Sequence, residues 1–423
     1  MSPRELLVAS FQAALSAADP LRIVPDHLPA PPRGRTLVVG AGKAAASMAL
    51  AVERHWPAAA PLEGLVITRY GHGLPLERIG LVEAGHPVPD ASGEAAARRI
   101  LESARTLGED DLMLVLVSGG GSSLLSAPVE GVTMADLRAV TRSLLASGAP
   151  IQDMNTVRKH LSAIQGGRLA LACRAPVLAL VISDVTGDDP THVASGPCSP
   201  DPTTFRDAID ILARFGVDPP PAVAAHLDRG ASGAVPETPK PGDPAFRRVA
   251  NRVIATAHAS LMGAAAFLQA RGITPMVLGD TVTGESSEVA KVHAAIARQL
   301  RRHGHPFKPP VAVISGGETT VTVRGAGRGG RCSEFLLALA LALDGLERTF
   351  ALACDTDGID GSEDNAGAVL APDALARAAA LGLVPGRMLA ANDGYGFFAA
   401  LGDLVVTGPT RTNVNDYRVI LVQ

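Results

Sequence analysis

Residues 112–126, LMLVLVSGGGSSLLS, limit what this chain can fold into more than any other stretch. The six apolar residues Leu112 to Val117 run without polar alternation, which reads as a strand buried on both faces. The run ends in Ser118, Gly119, Gly120, Gly121, Ser122 and Ser123. Three successive glycines let a backbone approach a ligand closely, with its N–H groups turned inward. The residues that follow can open a helix, and a helix N-terminus favours an anion. A phosphate suits this arrangement best, although one glycine-rich turn read alone is as readily a plain strand-to-helix connection.

The rest of the chain keeps the strand-then-helix rhythm. TLVVGAGKAAASMALAVERH gives a strand at 36–39, a glycine turn at 40–42 and a helix at 43–55. A second strand ends near Arg69 and His72, Asp90 or Ser92 caps a later helix, and PVLALVISDVTGDD is an apolar strand ending in Asp184. This alternation implies a mostly parallel α/β sheet with helices on both faces. The dense Gly/Pro/polar stretch at 227–246 marks a domain linker. The expected boundaries are 1–232 and 247–423, with the linker at about 233–246. The second domain opens on the strand RVIATA, carries a hairpin in VAVISGGETTVTVRG and a buried helix in FLLALALAL, and ends in two strands. It is α/β with some antiparallel pairing. In the opening segment Leu6, Leu7, Phe11, Ala14 and Leu15 share one helical face, and this helix is counted with the first domain.

Composition removes several function classes. A net charge of −4 over 423 residues leaves no nucleic-acid footprint, and 3% aromatics supply no base-stacking surface. The four cysteines are far apart and form no CxxC, which argues against a zinc site or a disulfide framework and fits a reducing cytoplasm. The N-terminus lacks the basic and apolar regions of a signal peptide, and the longest apolar run is far too short to cross a bilayer.

Four motifs carry candidate chemistry. Gly40-Ala41-Gly42-Lys43-Ala44-Ala45 fits the dinucleotide fingerprint G-x-G-x-x-A. However, the next strand ends Ile67-Thr68-Arg69-Tyr70, without the acid that holds a ribose. Lys43 sits in the turn, where a cation opposes the helix dipole but suits bound phosphate. Asp184, Asp188 and Asp189 follow a strand end, where α/β crevices form. Asp184 there holds Mg²⁺, accepts a substrate proton, or merely caps a turn. Arg324, Arg328 and Arg331 are interleaved with four glycines, a mobile cationic loop suited to carboxylate or phosphate. Asp355, Asp357 and Asp360 alternate in an acidic loop that is either a Mg²⁺ or hydroxyl site or an exposed turn.

With these motifs in view, the chain resembles the glycerate 2-kinases of the MOFRL family, a family often mislabelled hydroxypyruvate reductase. The matching pieces are GAGKAA (40–45), EAGHPVPD (83–90), SGGGSSLL (118–125), NTVRKHLS (155–162), GGRLA (166–170), SDVTGDD (183–189), ASGP (194–197), SGGETTV (315–321), GRGGR (327–331), EFLLALAL (334–341), DTDGIDG (355–361) and TNVND (412–416). Two departures stand out. Cys332-Ser333 replaces an expected Asn-Gln after GGR, and Gln165 replaces an expected Lys before the other GGR.

The resemblance implies a Rossmann-like, doubly wound N-terminal domain, a smaller α/β C-terminal domain with a mixed sheet, and an active site in the cleft between them. It implies phosphorylation of D-glycerate at its 2-hydroxyl, with ATP and Mg²⁺ as cofactors. Lys43, Arg331, Arg328 and Asp184 would be catalytic, with Arg331 favoured over Arg328. Ser118 to Ser123 would bind ATP. Lys43, Arg158, His160 and Arg331 would contact substrate, and Asp184, Asp188 and Asp357 would hold metal. The expected partners are small molecules in the cytoplasm, with neither nucleic acid nor membrane, and a homodimer is compatible. The rivals are an NAD(P)H-dependent hydroxypyruvate reductase and a non-catalytic sugar-acid or nucleotide binder.

Overall fold

The computed structural model describes residues 1–423. They pack as two units, residues 20–254 and residues 1–19 together with 255–423. The first unit holds strands β1 (Thr36–Ala41), β2 (Leu62–Arg69), β3 (Ile79–Ala84), β4 (Leu112–Val117), β5 (Val177–Ile182) and β6 (Val249–Ala255). Their order is β3-β2-β1-β4-β5-β6, and the pairs from β3 through β5 are all parallel. Every residue of β1, β4 and β5 is buried, as unalternating apolar runs require when both faces are covered. This is the strand order of dinucleotide-binding sheets, in which the order of strand addition reverses between β1 and β4 and opens a crevice at their C-terminal ends. The loops after β1 and β4 are the two glycine motifs. Asp90, as expected, caps the helix Ala91–Arg105, its carboxylate accepting from Gly93 N–H at 2.9 Å.

The second unit holds β7 (Thr274–Gly279), β8 (Gly284–Glu285), β9 (Val311–Ser315), β10 (Thr319–Thr320), β11 (Thr349–Asp355), β12 (Gly367–Leu370), β13 (Leu404–Val405) and β14 (Asp416–Val422). The main sheet has the order β13-β12-β11-β14-β9-β7, antiparallel apart from the β7–β9 pair. The mixed sheet is as expected; the hairpin is not. β10 pairs with β8, and β9 lies between β14 and β7. The Ser-Gly-Gly turn is instead sewn to the segment after β7, with Gly316 N–H donating to the Gly279 carbonyl and Val282 N–H to the Gly316 carbonyl. Because β14 runs against both β9 and β11, its first residues meet their last ones: Asp416 pairs with Asp355, and Arg418 with Ser315. The helix Arg331–Leu343 is buried along nearly its whole length.

The units exchange chain at places the composition did not mark. The helix Pro3–Ser16 packs with the second unit: Leu7, Phe11 and Ala14 share a core with Leu261, Leu268 and Tyr417, and Tyr417 donates to Ser10 at 3.0 Å. An amphipathic face must be buried, but its pattern does not say against which core. RVIATA lies in β6, at the edge of the first sheet beside β5. The Gly/Pro-rich stretch is packed rather than bridging. Asp201 N–H donates to the Pro239 carbonyl at 2.7 Å, and Phe246 packs on the first core.

Candidate active site

The loops after β1 and β4 lock together backbone to backbone. Lys43 N–H donates to the Gly119 carbonyl at 2.9 Å, Ala44 N–H to Ser118 Oγ at 3.0 Å, and Ser118 N–H to the Ala41 carbonyl at 3.2 Å. Ala45 N–H is turned back on the Gly42 carbonyl. The N–H groups of Lys43, Ala44 and Ala45, at the turn into the helix Ala45–His55 where a dinucleotide pyrophosphate would sit, are therefore occupied by the chain itself. The glycine loop behaves differently. Gly121 N–H is bonded to the Ser118 carbonyl, but the N–H groups of Gly119, Gly120 and Ser122 take no partner within the chain. Grouped backbone donors of this kind form an anion seat. Gly120 has φ +81, and a Cβ there would lie 2.9 Å from the His86 ring and 3.5 Å from Lys43 Cγ, so both side chains flank the seat. The helix expected after the glycines is a single turn, Gly121–Leu124, with Pro128 soon after. The amides act here without a helix dipole behind them.

A hydroxyl relay leads away from this loop. Ser195 Oγ lies 2.9 Å from Ser122 Oγ and 3.1 Å from Asn155 Oδ1, and Arg158 Nη1 donates to the same Asn155 oxygen at 3.2 Å. No carboxylate lies within ion-pair distance of Arg158, and burial lowers its pKa to about 10. Gln165 is buried and donates from Nε2 to the carbonyls of Ser122 (2.8 Å) and Leu125 (2.9 Å). The departure at Gln165 is thus a tether for the glycine loop. Asp184 is half-buried just past β5, and Asp188 is half-buried in the following turn at φ +54.

His160 does not join the glycine loop. It is wholly buried, its ring edge-on to Phe205 at 4.8 Å, with Nδ1 2.8 Å from the Thr156 carbonyl and Nε2 3.4 Å from Glu237. Desolvation lowers its pKa and keeps it neutral. It packs beside the buried Lys159–Asp201 pair at 2.9 Å and belongs to the scaffold.

In the second unit the crossing of β14 with β9 and β11 gathers an acidic rim around Arg331. Its guanidinium donates to Asp416 (2.8 Å), Asp355 (2.8 Å) and Glu318 (2.6 Å). Burial works against its charge, yet these three carboxylates outweigh it and raise its pKa well above the ordinary value. Arg331 is therefore more than neutralised by its neighbours. Asp360 caps the same helix from within: its carboxylate accepts from Cys332 N–H and Ser333 N–H, both at 2.9 Å, while burial raises its pKa. Cys332 itself is fully buried, so that departure faces core and not ligand. Arg328 is exposed, paired with Glu363 and stacked on Tyr395 at 4.1 Å. Its loop is pinned, since Asn392 Oδ1 accepts from Arg324 and Gly325 N–H and the Ala391 carbonyl from Gly327 N–H. The expected mobile loop is thus tied down. Asp357 is buried in its turn, accepting from Ile359 N–H at 2.9 Å. No three His, Cys, Asp or Glu side chains converge as a metal cage.

Sequence reasoning singled out Lys43, Asp184 and the glycine loop but missed His86, Asn155, Ser195 and Glu318. All four lie inside the quoted motif segments; their roles emerge only when distant segments meet.

The chain is similar to known proteins over its whole length. A domain of unknown function (DUF4147) matches residues 6–228, and the MOFRL family matches residues 311–416. A protein of Agrobacterium vitis named as a hydroxypyruvate reductase is 51% identical over 100% of this chain and 95% of its own length. The D-glycerate 2-kinase of Thermotoga maritima is 37% identical over 100% of this chain and 99% of its own. The crystal structure of glycerate kinase from Thermotoga maritima superposes with a TM-score of 0.88 at 36% identity, covering 99% of each chain.

Proposed function

The chain belongs to the glycerate 2-kinases of the MOFRL family, and on that premise we propose that it transfers the γ-phosphoryl group of ATP to the 2-hydroxyl of D-glycerate. The observation that carries this reading is the Ser118–Ser123 loop at the β1–β4 switch point, with three N–H groups unpartnered beside Lys43. Phosphoryl transfer demands positioning and neutralisation of charge more than covalent chemistry. The loop amides seat the phosphates and Lys43 faces the charge on the transferring group. The 2-hydroxyl oxygen attacks the γ-phosphorus, the bond to the bridging oxygen breaks, ADP leaves, and the hydroxyl proton passes to Asp184.

Mg²⁺ supplies further neutralisation when bound to the nucleotide. It takes one or two carboxylates together with phosphate oxygens, and half-buried Asp188 fits that donor set in this unit. Arg331 is assigned a positioning role: it holds Asp355, Asp416 and Glu318 in one rim.

The reductase name of the Agrobacterium relative calls for a bound dinucleotide, and the residues do not fit one. The N–H groups of Lys43, Ala44 and Ala45 in the fingerprint turn are already bonded, and β2 ends in Arg69 instead of a ribose-binding acid. The test is ADP release from Mg²⁺-ATP that depends on D-glycerate. Oxidation of NADH by hydroxypyruvate, with no such release, would refute the kinase reading.

A further inference from the structure

A small polar pocket, open to solvent, lies beside the glycine loop, lined on its polar side by Ser122, Ser126, Thr141, Arg158, Ser162 and Gln165. Leu137 and Pro89 close it with apolar surface. We propose that this cavity receives the carboxylate of the acceptor, with Arg158 as its counter-ion; the assignment rests on the kinase reading above and adds where the acceptor sits.

Three features of the site lead there. Arg158 is the one arginine of this wall, and its only hydrogen bond is to the neutral Asn155 amide oxygen at 3.2 Å. A desolvated guanidinium without a carboxylate partner is costly to keep, and a small anion entering the cavity removes that cost. The planar fork of a guanidinium matches a carboxylate with two parallel donors. The rest of the wall is hydroxyls and one amide, which suits an acid that also carries hydroxyl groups. Second, the cavity shares Ser122 and Ser123 with the phosphate-seating loop. An acid held by Arg158 therefore lies next to the transferring group. Third, the relay Ser122–Ser195–Asn155–Arg158 fixes the guanidinium relative to that loop. Gln165 fixes the loop from the other side. Acceptor and donor are thereby held in one register, as an in-line transfer requires.

The experiment is calorimetric titration of the full chain and of Arg158→Gln with D-glycerate and, separately, with Mg²⁺-ADP. Arg158→Lys serves as the conservative variant. Arg158→Gln is expected to weaken D-glycerate about 10- to 150-fold, the loss of a charge-assisted hydrogen bond, and to leave ADP within about threefold. Arg158→Lys should recover part of the acid's affinity, since the charge remains and only the fork is lost. Undiminished D-glycerate affinity in Arg158→Gln overturns the proposal. So does a loss that falls on ADP instead, which would give the cavity to the nucleotide. Turnover of the wild-type chain is measured alongside. Its failure with D-glycerate would count against the kinase reading, while the binding comparison still decides the role of Arg158.

Discussion

Gly121→Ala probes the seat directly. A Cβ at Gly121 would stand 2.5 Å from Ala194 Cβ and 2.9 Å from the Ala41 carbonyl oxygen. Carbon atoms rest at about 3.5–4.0 Å, so the loop must retreat by about 1 Å. Neither obstacle is the loose end of a side chain: one is a Cβ and the other is the backbone that ends β1. Overpacking of this kind costs about 1–3 kcal/mol. In a unit of this size each kcal/mol lowers Tm by about 2–4 °C. The larger effect falls on turnover, since a misplacement of about 1 Å at a reacting centre costs about 10²-fold. A second substitution separates the two consequences. Ala194 sits at φ +50, where glycine is at ease. Ala194→Gly removes the closest contact without new strain. The double variant should regain about tenfold in kcat/KM, the 2.9 Å contact with Ala41 preventing full recovery. The assays are D-glycerate-dependent ADP release and thermal melting. Gly121→Ala with a lowered Tm but activity within about threefold of wild type would refute the reasoning, because the loop's position would then not matter to transfer.

Other perturbations separate chemistry from scaffold. Lys43→Ala should lower kcat about 10²- to 10³-fold, as removal of one transition-state donor does, with little change in melting. Arg331→Met leaves Glu318, Asp355 and Asp416 facing one another and should cost about 3–5 kcal/mol by denaturant unfolding. Arg328→Ala, on an exposed pair, should cost no more than about 1 kcal/mol. Glu334 is buried, which pushes its pKa up to about 7, the Asn392 hydrogen bond opposing that weakly. A carboxyl whose folded pKa is raised contributes its stability fully below the unfolded value and loses it as pH rises through the folded one. Stability should therefore fall between about pH 5 and 8 by on the order of 2 kcal/mol. Glu334→Gln should flatten that slope in melting scans, and an unchanged slope would remove Glu334 as its source.

What the sequence made legible was local. The run Leu112–Val117 announced a strand buried on both faces, and the glycines after it announced a turn whose backbone N–H groups are left without partners in the chain. Lys43 and Asp184 could be singled out because each stands at a strand end, and strand ends are readable from periodicity. Pairing across the chain was not readable. The switch point exists because β1 sits beside β4, and no periodicity specifies a neighbour. Arg158 gains its meaning from Asn155 on its own helix and from Ser195 and Ser122, which other segments bring to it. The opening helix showed its apolar face but not the core that would take it. The Arg331 rim misled for a related reason: a guanidinium at the end of a glycine-rich loop looks free until β14 brings Asp416 to it.

Phosphorus NMR of the wild-type chain incubated with Mg²⁺-ATP and D-glycerate weighs all of this at once. The loop after β4, Lys43 and the Arg158 cavity together predict the resonance of 2-phosphoglycerate growing in step with ADP. Inorganic phosphate alone, or no new phosphorus resonance while NADH is consumed with hydroxypyruvate, would contradict it.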